Sequence, residues 1–158
     1  MNPLPGMSRS ERGFTLLELL VVLVIAGLTL GMVSFNAMPS ERQVLQKESQ
    51  RIALLLQLAR DEAIVRNRPI AFEADAQGYR FLMRDENIWQ PLNQDELLRN
   101  RDFQRPPVTV SMTPLPQQAG LRVVFGREPV DKPFVLTLSS GESSAAIRAD
   151  GIGHFVVE

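Results

Sequence analysis

Apolar residues are concentrated near the N-terminal end of the chain, in a run that reads FTLLELLVVLVIAGLTLGMVSFNAM over residues 14–38. No charged residue occurs between Leu19 and Val33. A helix of this length would measure about 37 Å, enough to cross a hydrocarbon core of about 30 Å. The pattern therefore predicts a membrane-spanning helix over 14–38. Pro39 should end or kink it, because proline lacks a backbone donor.

A second helix is predicted by the residues that follow Pro39. Ser40 and Gln43 have the S-x-x-Q spacing of a capping box. The apolar residues that then recur on one helical face are Leu45, Ile52, Leu56, Ala59 and Ala63. This face is widened by Leu54, Leu55 and Leu58, which indicate either a deeply embedded helix or a second face that contacts another subunit. We expect an amphipathic helix within residues 39–68 that lies on a sheet.

Strands are predicted after Asn67-Arg68-Pro69, where β-branched and aromatic residues change the period toward two. The predicted strands are 70–75, 78–84, 107–112, 121–126, 134–139, 144–149 and 152–157. Gln77-Gly78 and Asp150-Gly151 are expected to form hairpin turns. The polar stretch between Asn87 and Pro107 has no firm periodicity and is expected to be a loop. One long helix followed by antiparallel strands predicts an α+β fold, with a β-rich head over 69–158.

Composition excludes several classes of function. The net charge is −1, from 17 basic and 18 acidic residues, which does not favour a nucleic-acid partner. The absence of cysteine excludes disulfides, thiolate catalysis and cysteine-based metal sites. His154 is the only histidine, so zinc sites with two or three histidines are impossible. The tail has Asp150 but no clustered Asp/Asn ligand set for calcium, and we expect neither a metal nor a cofactor.

A membrane-anchored periplasmic enzyme is the alternative from a different class of function. A serine hydrolase would have to use His154 with a serine of Ser139-Ser140-Gly141 or Ser143-Ser144. None of these serines lies in a G-x-S-x-G frame, and His154 belongs to a predicted hairpin. The residues favour a surface turn, so no catalytic residue is expected.

The flanks of the apolar run allow three interpretations. A secretory signal peptide would have a shorter apolar region and an A-x-A-like cleavage site, and neither is evident. A plain membrane anchor fits the length but has no use for Glu18, although that side chain could snorkel to the interface.

The third interpretation uses the whole segment, because Gly13-Phe14-Thr15-Leu16-Leu17-Glu18 resembles the type III signal sequence of type IV prepilins and type II secretion pseudopilins. The resemblance implies cleavage after Gly13 by the prepilin peptidase and methylation of the new N-terminal residue, Phe14. Residues 1–13 would be the leader if the chain starts at Met1, and a shorter leader would start at Met7. Arg9 and Arg12 ahead of the run should keep the N-terminus cytoplasmic and place the C-terminal part in the periplasm.

Glu18 is the expected assembly residue of this segment. The amine of Phe14 keeps its positive charge after methylation, and the Glu18 carboxylate could pair with that amine or with the amine of an adjacent subunit. Pairing between subunits would set the axial register of a fibre, whereas pairing within one chain would not. Gly27 and Gly31 form a GxxxG pattern that would let helices approach closely in an apolar medium.

Two further stretches are similar to the general secretion pathway protein H family and the related FimT-type minor pilins. They are Leu58–Ile70, at the predicted helix-to-strand junction, and the Asp150–Phe155 turn. The resemblance implies a pilin-like fold and a non-enzymatic role as a minor pseudopilin of the type II secretion system, near the tip of a periplasmic pseudopilus that helps to export folded proteins. The implied partners are the prepilin peptidase, other minor and major pseudopilins and the inner-membrane assembly platform. A FimT- or FimU-like minor pilin of a type IV pilus is the alternative within the family.

Overall fold

The computed structural model describes residues 14–35, 39–116, 120–128 and 132–158. The helices are α1 (Leu16–Phe35) and α2 (Glu41–Val65). The strands are β1 (Ile70–Ala74), β2 (Gly78–Asp85), β3 (Ile88–Pro91), β4 (Arg101–Asp102), β5 (Thr109–Thr113), β6 (Leu121–Phe125), β7 (Phe134–Ser140), β8 (Ser143–Ala149) and β9 (Phe155–Val157). The chain divides into two compact units after Pro39, with α1 in the first and α2 and these strands in the second.

The start of α2 is set by the predicted capping box. The Ser40 hydroxyl accepts a hydrogen bond from the Gln43 N–H at 3.2 Å, and the Gln43 side-chain oxygen accepts one from the Ser40 N–H at 3.1 Å. Two of the N–H groups that a helix N-terminus leaves unpaired are thereby satisfied. At the other end Asn67 adopts a left-handed conformation with φ of 54°, and Pro69 follows it. The predicted helix and its ends are confirmed.

The apolar stripe of α2 is the centre of the core of the second unit. Ile52, Leu56, Ala59 and Ala63 are fully buried, and Leu45 is nearly so. This stripe packs against β1, β6, β7, β8 and β9. The three leucines that widen the stripe differ from one another, since Leu55 is buried, Leu58 is partly buried and Leu54 is exposed. The helix is therefore embedded along most of its length, and Leu54 faces away from the core.

The strands form two antiparallel sheets that share α2. The first sheet has the order β3-β2-β1-β6, with β4 also paired to β2, and the second has the order β5-β7-β8-β9. Aromatic rings fill the core side of the first sheet, where Phe72 lies 5.3 Å from Phe81 and 5.8 Å from Tyr79 between ring centroids. A helix on antiparallel sheets is the α+β fold that the sequence predicts.

Two strands occur where the sequence predicts a loop between Asn87 and Pro107. They are β3, an edge strand that pairs with β2 alone, and the two-residue β4. Neither has a buried face that alternates with an exposed one, so neither carries the period-two signal. Gly78 is needed for β4 to pair, because a Cβ at this position would collide with the backbone carbonyl of Arg101.

The predicted strand 152–157 is shorter in the structure, where β9 begins at Phe155. Residues 150–154 form a loop, because the Asp150 carboxylate accepts hydrogen bonds from the backbone N–H groups of Ile152, Gly153 and His154. Those N–H groups are therefore turned toward one side chain and do not pair with a neighbouring strand.

No helix within the part of the chain that the structure describes combines the length and the apolar character that crossing a membrane requires. The predicted membrane-spanning segment 14–38 includes residues 36–38, which lie outside the described residues.

Two leucines of α2 test how the core is built. Leu56 is fully buried, whereas Leu54, two residues away on the same helix, is 69% exposed. Leu56→Ala should lower the free energy of unfolding of the 40–158 unit by about 2–5 kcal/mol, because it removes buried methyl groups and leaves a cavity. Leu54→Ala is the matched control and should change it by no more than about 0.5 kcal/mol. Equal effects in urea unfolding followed by circular dichroism would contradict the embedding of α2.

Candidate processing and assembly site

The first turn of α1 holds two of the predicted functional residues. Phe14 precedes the helix and is 77% exposed, and Glu18 lies in the first turn. The Thr15 hydroxyl accepts a hydrogen bond from the Glu18 N–H at 3.2 Å, and the Thr15 carbonyl accepts from the same N–H at 3.1 Å. Thr15 therefore caps the helix and fixes where Glu18 leaves it. Gly13, the residue before the predicted cleavage point, lies outside the described residues.

The role of Thr15 is missed by the sequence interpretation above, although a signal for it is present. Thr15 and Glu18 have the T-x-x-E spacing of a capping box, and an acidic residue in the first turn interacts favourably with the helix dipole. This local role for Glu18 needs no partner subunit. The interaction of this carboxylate with the helix dipole stabilises an exposed helix end by about 0.3–1 kcal/mol. An assembly role for Glu18 should therefore produce a larger effect than this when the side chain is removed.

The surface of α1 is apolar beyond its first turn. Its leucine, valine and isoleucine side chains between Leu16 and Leu30 are exposed. The Thr29 hydroxyl donates to the backbone carbonyls of Ile25 at 3.0 Å and Ala26 at 2.9 Å, so it is satisfied within the helix. Glu18 is the only ionisable residue in the α1 segment 16–35. A carboxylate on an otherwise apolar helix has a high desolvation cost unless it is paired, which is why Glu18 is the candidate for a specific contact.

Gly27 and Gly31 are one helical turn apart on α1. A Cβ added at either position would have no neighbour within 4 Å, so neither glycine is required by packing against the residues that the structure describes. Their value would lie in the close approach of another helix, as the GxxxG pattern predicts. The structure brings Phe14 and Glu18 to the same end of α1 and places the two glycines about two and a half and three and a half turns beyond Glu18.

The loop 150–154 in the second unit is held from two sides. The Arg60 guanidinium of α2 donates to the backbone carbonyl of Ile152 at 3.1 Å, and the Arg60 side chain is only 12% exposed. Gly153 has a φ of 113°, and a Cβ there would lie 2.6 Å from an Arg60 nitrogen. Glycine is therefore favoured here by its backbone conformation, and a side chain would also have to displace the Arg60 guanidinium. The loop is built to fix the C-terminal strand to α2.

His154 has a structural partner in this loop. Its Nδ1 lies 2.6 Å from the Asp150 carboxylate, whose other oxygen accepts the three backbone hydrogen bonds of the loop. The hydroxyl of Ser139 donates to the backbone carbonyl of Thr109. The His154 side chain therefore contributes to the loop 150–154, and the Ser139 side chain contributes to the pairing of β7 with β5. Among the described residues, no three histidine, aspartate or glutamate side chains are grouped in a way that could hold a metal ion.

Comparisons with known proteins give matches in both the N-terminal segment and the second unit. Residues 48–153 match the family profile described as type II transport protein GspH, and residues 8–34 match the prokaryotic N-terminal methylation motif. The chain is 32% identical to type II secretion system protein H of Pseudomonas aeruginosa over 145 residues, which cover 86% of this chain and 80% of that protein.

Two solved structures share the fold. The minor pseudopilin EpsH of the Vibrio cholerae type II secretion system has a TM-score of 0.59 at 13% identity, with 75% of this chain and 98% of that chain covered. The type IV minor pilin FimU of Pseudomonas aeruginosa has a TM-score of 0.53 at 19% identity, with 75% and 90% covered. At these identities the likeness establishes the architecture alone.

The Asp150 loop should make the second unit sensitive to acid. Partial desolvation opposes ionisation of Asp150, but hydrogen bonds from Ile152 and His154 outweigh it and lower the pKa to about 2. Since this pKa is below the unfolded value of about 3.9, the stabilisation is present above pH 4 and is lost as the pH falls toward 2. Thermal unfolding of the 40–158 unit should show this decline, and Asp150→Asn should flatten it. Glu96→Gln, at an exposed position outside the Asp150 loop, is the control and should leave the decline unchanged.

Proposed function

The chain belongs to the GspH family of type II transport proteins, and we propose that it works as a minor pseudopilin, a structural subunit of the type II secretion pseudopilus. The observation that carries this proposal is the 32% identity to type II secretion system protein H, which extends over 86% of the chain. In this role the protein helps a periplasmic fibre to export folded proteins. It is a substrate of one enzyme, the prepilin peptidase, and performs no reaction of its own.

The proposed maturation begins with a precursor in the inner membrane. Its N-terminus is cytoplasmic, the apolar segment that contains α1 is the anchor, and the head formed by α2 and the strands is periplasmic. Cleavage after Gly13 and methylation of Phe14 are supported by the methylation motif over residues 8–34 and by the exposure of Phe14 ahead of the helix. The assembly platform and other pseudopilins are the proposed partners of the mature protein.

Within the fibre, Glu18 is the proposed assembly residue. It is the ionisable group of α1, lies in the first turn and is available to the N-terminal amine of a neighbouring subunit. Gly27 and Gly31 are proposed to let neighbouring helices approach, since none of the residues that the structure describes occupies the space above them. A FimU-like role in a type IV pilus shares the architecture, but the greater sequence similarity is to the secretion protein.

Processing is tested by the mass of the mature protein. In a strain with active prepilin peptidase, membrane-extracted protein should start at Phe14 and carry one methyl group on its amine. A strain without the peptidase is the control and should retain the leader. Finding Met1 or Met7 at the N-terminus in the active strain would contradict the proposal.

The role of Glu18 is tested by Glu18→Ala in a deletion strain complemented at native expression. If Glu18 pairs with a neighbouring amine in the membrane, the variant should be inserted and cleaved but incorporated poorly, because breaking a buried pair costs about 3–5 kcal/mol. Secretion and crosslinking to other pseudopilins should both be strongly impaired.

The local alternative predicts a much smaller effect. If Glu18 serves only the helix dipole, the loss is about 0.3–1 kcal/mol and secretion should be close to normal. Glu41→Ala removes an exposed first-turn carboxylate from α2 and is the matched control, which should secrete normally in either case. Normal secretion and unchanged crosslinks from processed Glu18→Ala protein would refute the assembly role.

A further inference from the structure

The first sheet has a second face, opposite the core, that carries its own small apolar centre. The register pairs Ala71 with both Leu82 and Val124, and Leu82 with Pro91, so these residues form a row across all four strands. Ala71 and Leu82 are buried, but neither belongs to the core cluster around α2. They must therefore be covered from the outer side of the sheet.

Trp89 provides this cover. It pairs with Arg84 of β2, two residues from Leu82, and so lies on the same outer face. The Arg84 guanidinium carbon is 6.0 Å from the centroid of the indole, and that of Arg122, on β6 at the opposite edge of the sheet, is 5.6 Å from it. The indole consequently extends across the face and has two cations close to its ring. We call this surface, formed by Trp89, Arg80, Arg84, Arg122 and Val124, the Trp89 face.

The Trp89 face is positively charged. Three arginines lie on it with Glu73, which accepts hydrogen bonds from Arg80 at 2.7 Å and from Arg122 at 2.6 Å. A second carboxylate, Asp75, lies just beyond the end of β1 and interacts electrostatically with Arg80. Partial burial opposes ionisation of Glu73, but the two arginines outweigh it and lower its pKa. The charge of the face is thus about +1, three arginines minus the two carboxylates, in a chain whose net charge is −1. The hydrogen-bond partner of Arg84 is the neutral side chain of Asn87.

We propose, on the basis of the proposed function, that the Trp89 face docks an acidic surface of a different subunit of the fibre. Tryptophan and arginine are enriched at the energetic centres of protein interfaces, and the exposed Val124 adds apolar area beside them. Carboxylates of the partner would pair with Arg80 and Arg84, whose side chains extend from the exposed part of the face.

Two other occupants fit the face less well. A symmetric contact with a second copy would oppose arginines with arginines. Single-stranded nucleic acid needs open aromatic rings on which bases can stack, whereas two guanidinium groups already lie 5.6 Å and 6.0 Å from the centroid of the Trp89 indole. The acidic protein surface is the occupant that matches both the charge and the geometry.

The absence of cysteine allows the contact to be mapped in the full-length protein. Val124→Cys places a single thiol on the Trp89 face, and Leu54→Cys places one on the exposed side of α2. Each is expressed in a deletion strain at native level and treated with a short bifunctional thiol- and amine-reactive crosslinker. Mass spectrometry of the Val124→Cys protein should identify another pseudopilin joined to the thiol at position 124.

Charge reversal then tests the chemistry of the contact. Arg84→Glu and Trp89→Ala, each in the Val124→Cys background, should reduce that adduct about tenfold, as expected for centres of an interface. Arg99→Glu, an exposed arginine away from the face, is the matched control and should leave it unchanged. Since Trp89→Ala uncovers Leu82, trypsin resistance of each variant is measured in parallel, and Arg84→Glu decides the outcome if Trp89→Ala is unstable.

The outcomes separate this inference from the function. The docking surface is overturned if no protein adduct forms at position 124 in a strain that secretes normally, or if the adduct is a second copy of this chain. It is also overturned if the adduct is sensitive to nuclease or unaffected by Arg84→Glu. Each of these results would leave the pseudopilin role intact. If the deletion strain secretes normally without the protein, the proposed function itself fails.

Discussion

The second unit depends on the burial of one helical stripe against two sheets that do not pair with each other in the described residues. Ile52, Leu56, Ala59 and Ala63 have no exposed surface, and the strands that cover them come from both sheets. Without α2 each sheet would expose an apolar face, since a sheet buries one face only by packing on another layer. The two alanines lie in the half of α2 nearest its C-terminus, where small side chains allow close packing. The capping box at Ser40 and the break at Asn67 set the length of helix available for this contact.

Much of this architecture could be predicted because it is encoded at short range. The S-x-x-Q spacing, the helical period of the apolar residues and Pro69 fixed α2 to within a few residues, and alternating apolar residues located the longer strands. The short strands β3 and β4 could not be found this way, because they are held by pairing with β2 and not by a buried face of their own. The same reason hides the Trp89 face, since a tryptophan in a predicted loop gives no indication that Arg84 and the distant Arg122 lie close to its ring.

For the processing and assembly site, the sequence is more informative than the structure of a single chain. Gly13, Phe14 and Glu18 could be selected from the sequence because their spacing and the apolar run together resemble a known signal. The structure of a single chain adds the Thr15 cap and the exposed positions of Phe14 and Glu18. Among the described residues it supplies no hydrogen-bond partner for the Glu18 carboxylate, and no neighbouring atom lies within 4 Å of a Cβ placed on Gly27 or Gly31. Residues that are proposed to contact other subunits are identified by their residue type and spacing, because their surroundings in one chain do not include the partner.

The clamp between Arg60 and the loop at Ile152 joins an early part of the chain to a late one. α2 is synthesised before all of the strands, yet a large part of its buried stripe is covered by β8 and β9, which lie at the C-terminal end. A chain that emerges vectorially, from a ribosome or through a membrane, therefore carries an amphipathic helix that stays partly uncovered until β8 and β9 have appeared. Such exposed apolar surface favours aggregation and binding by chaperones. The late closure of β9 thus makes the interval between emergence and folding the period in which this small protein is most vulnerable.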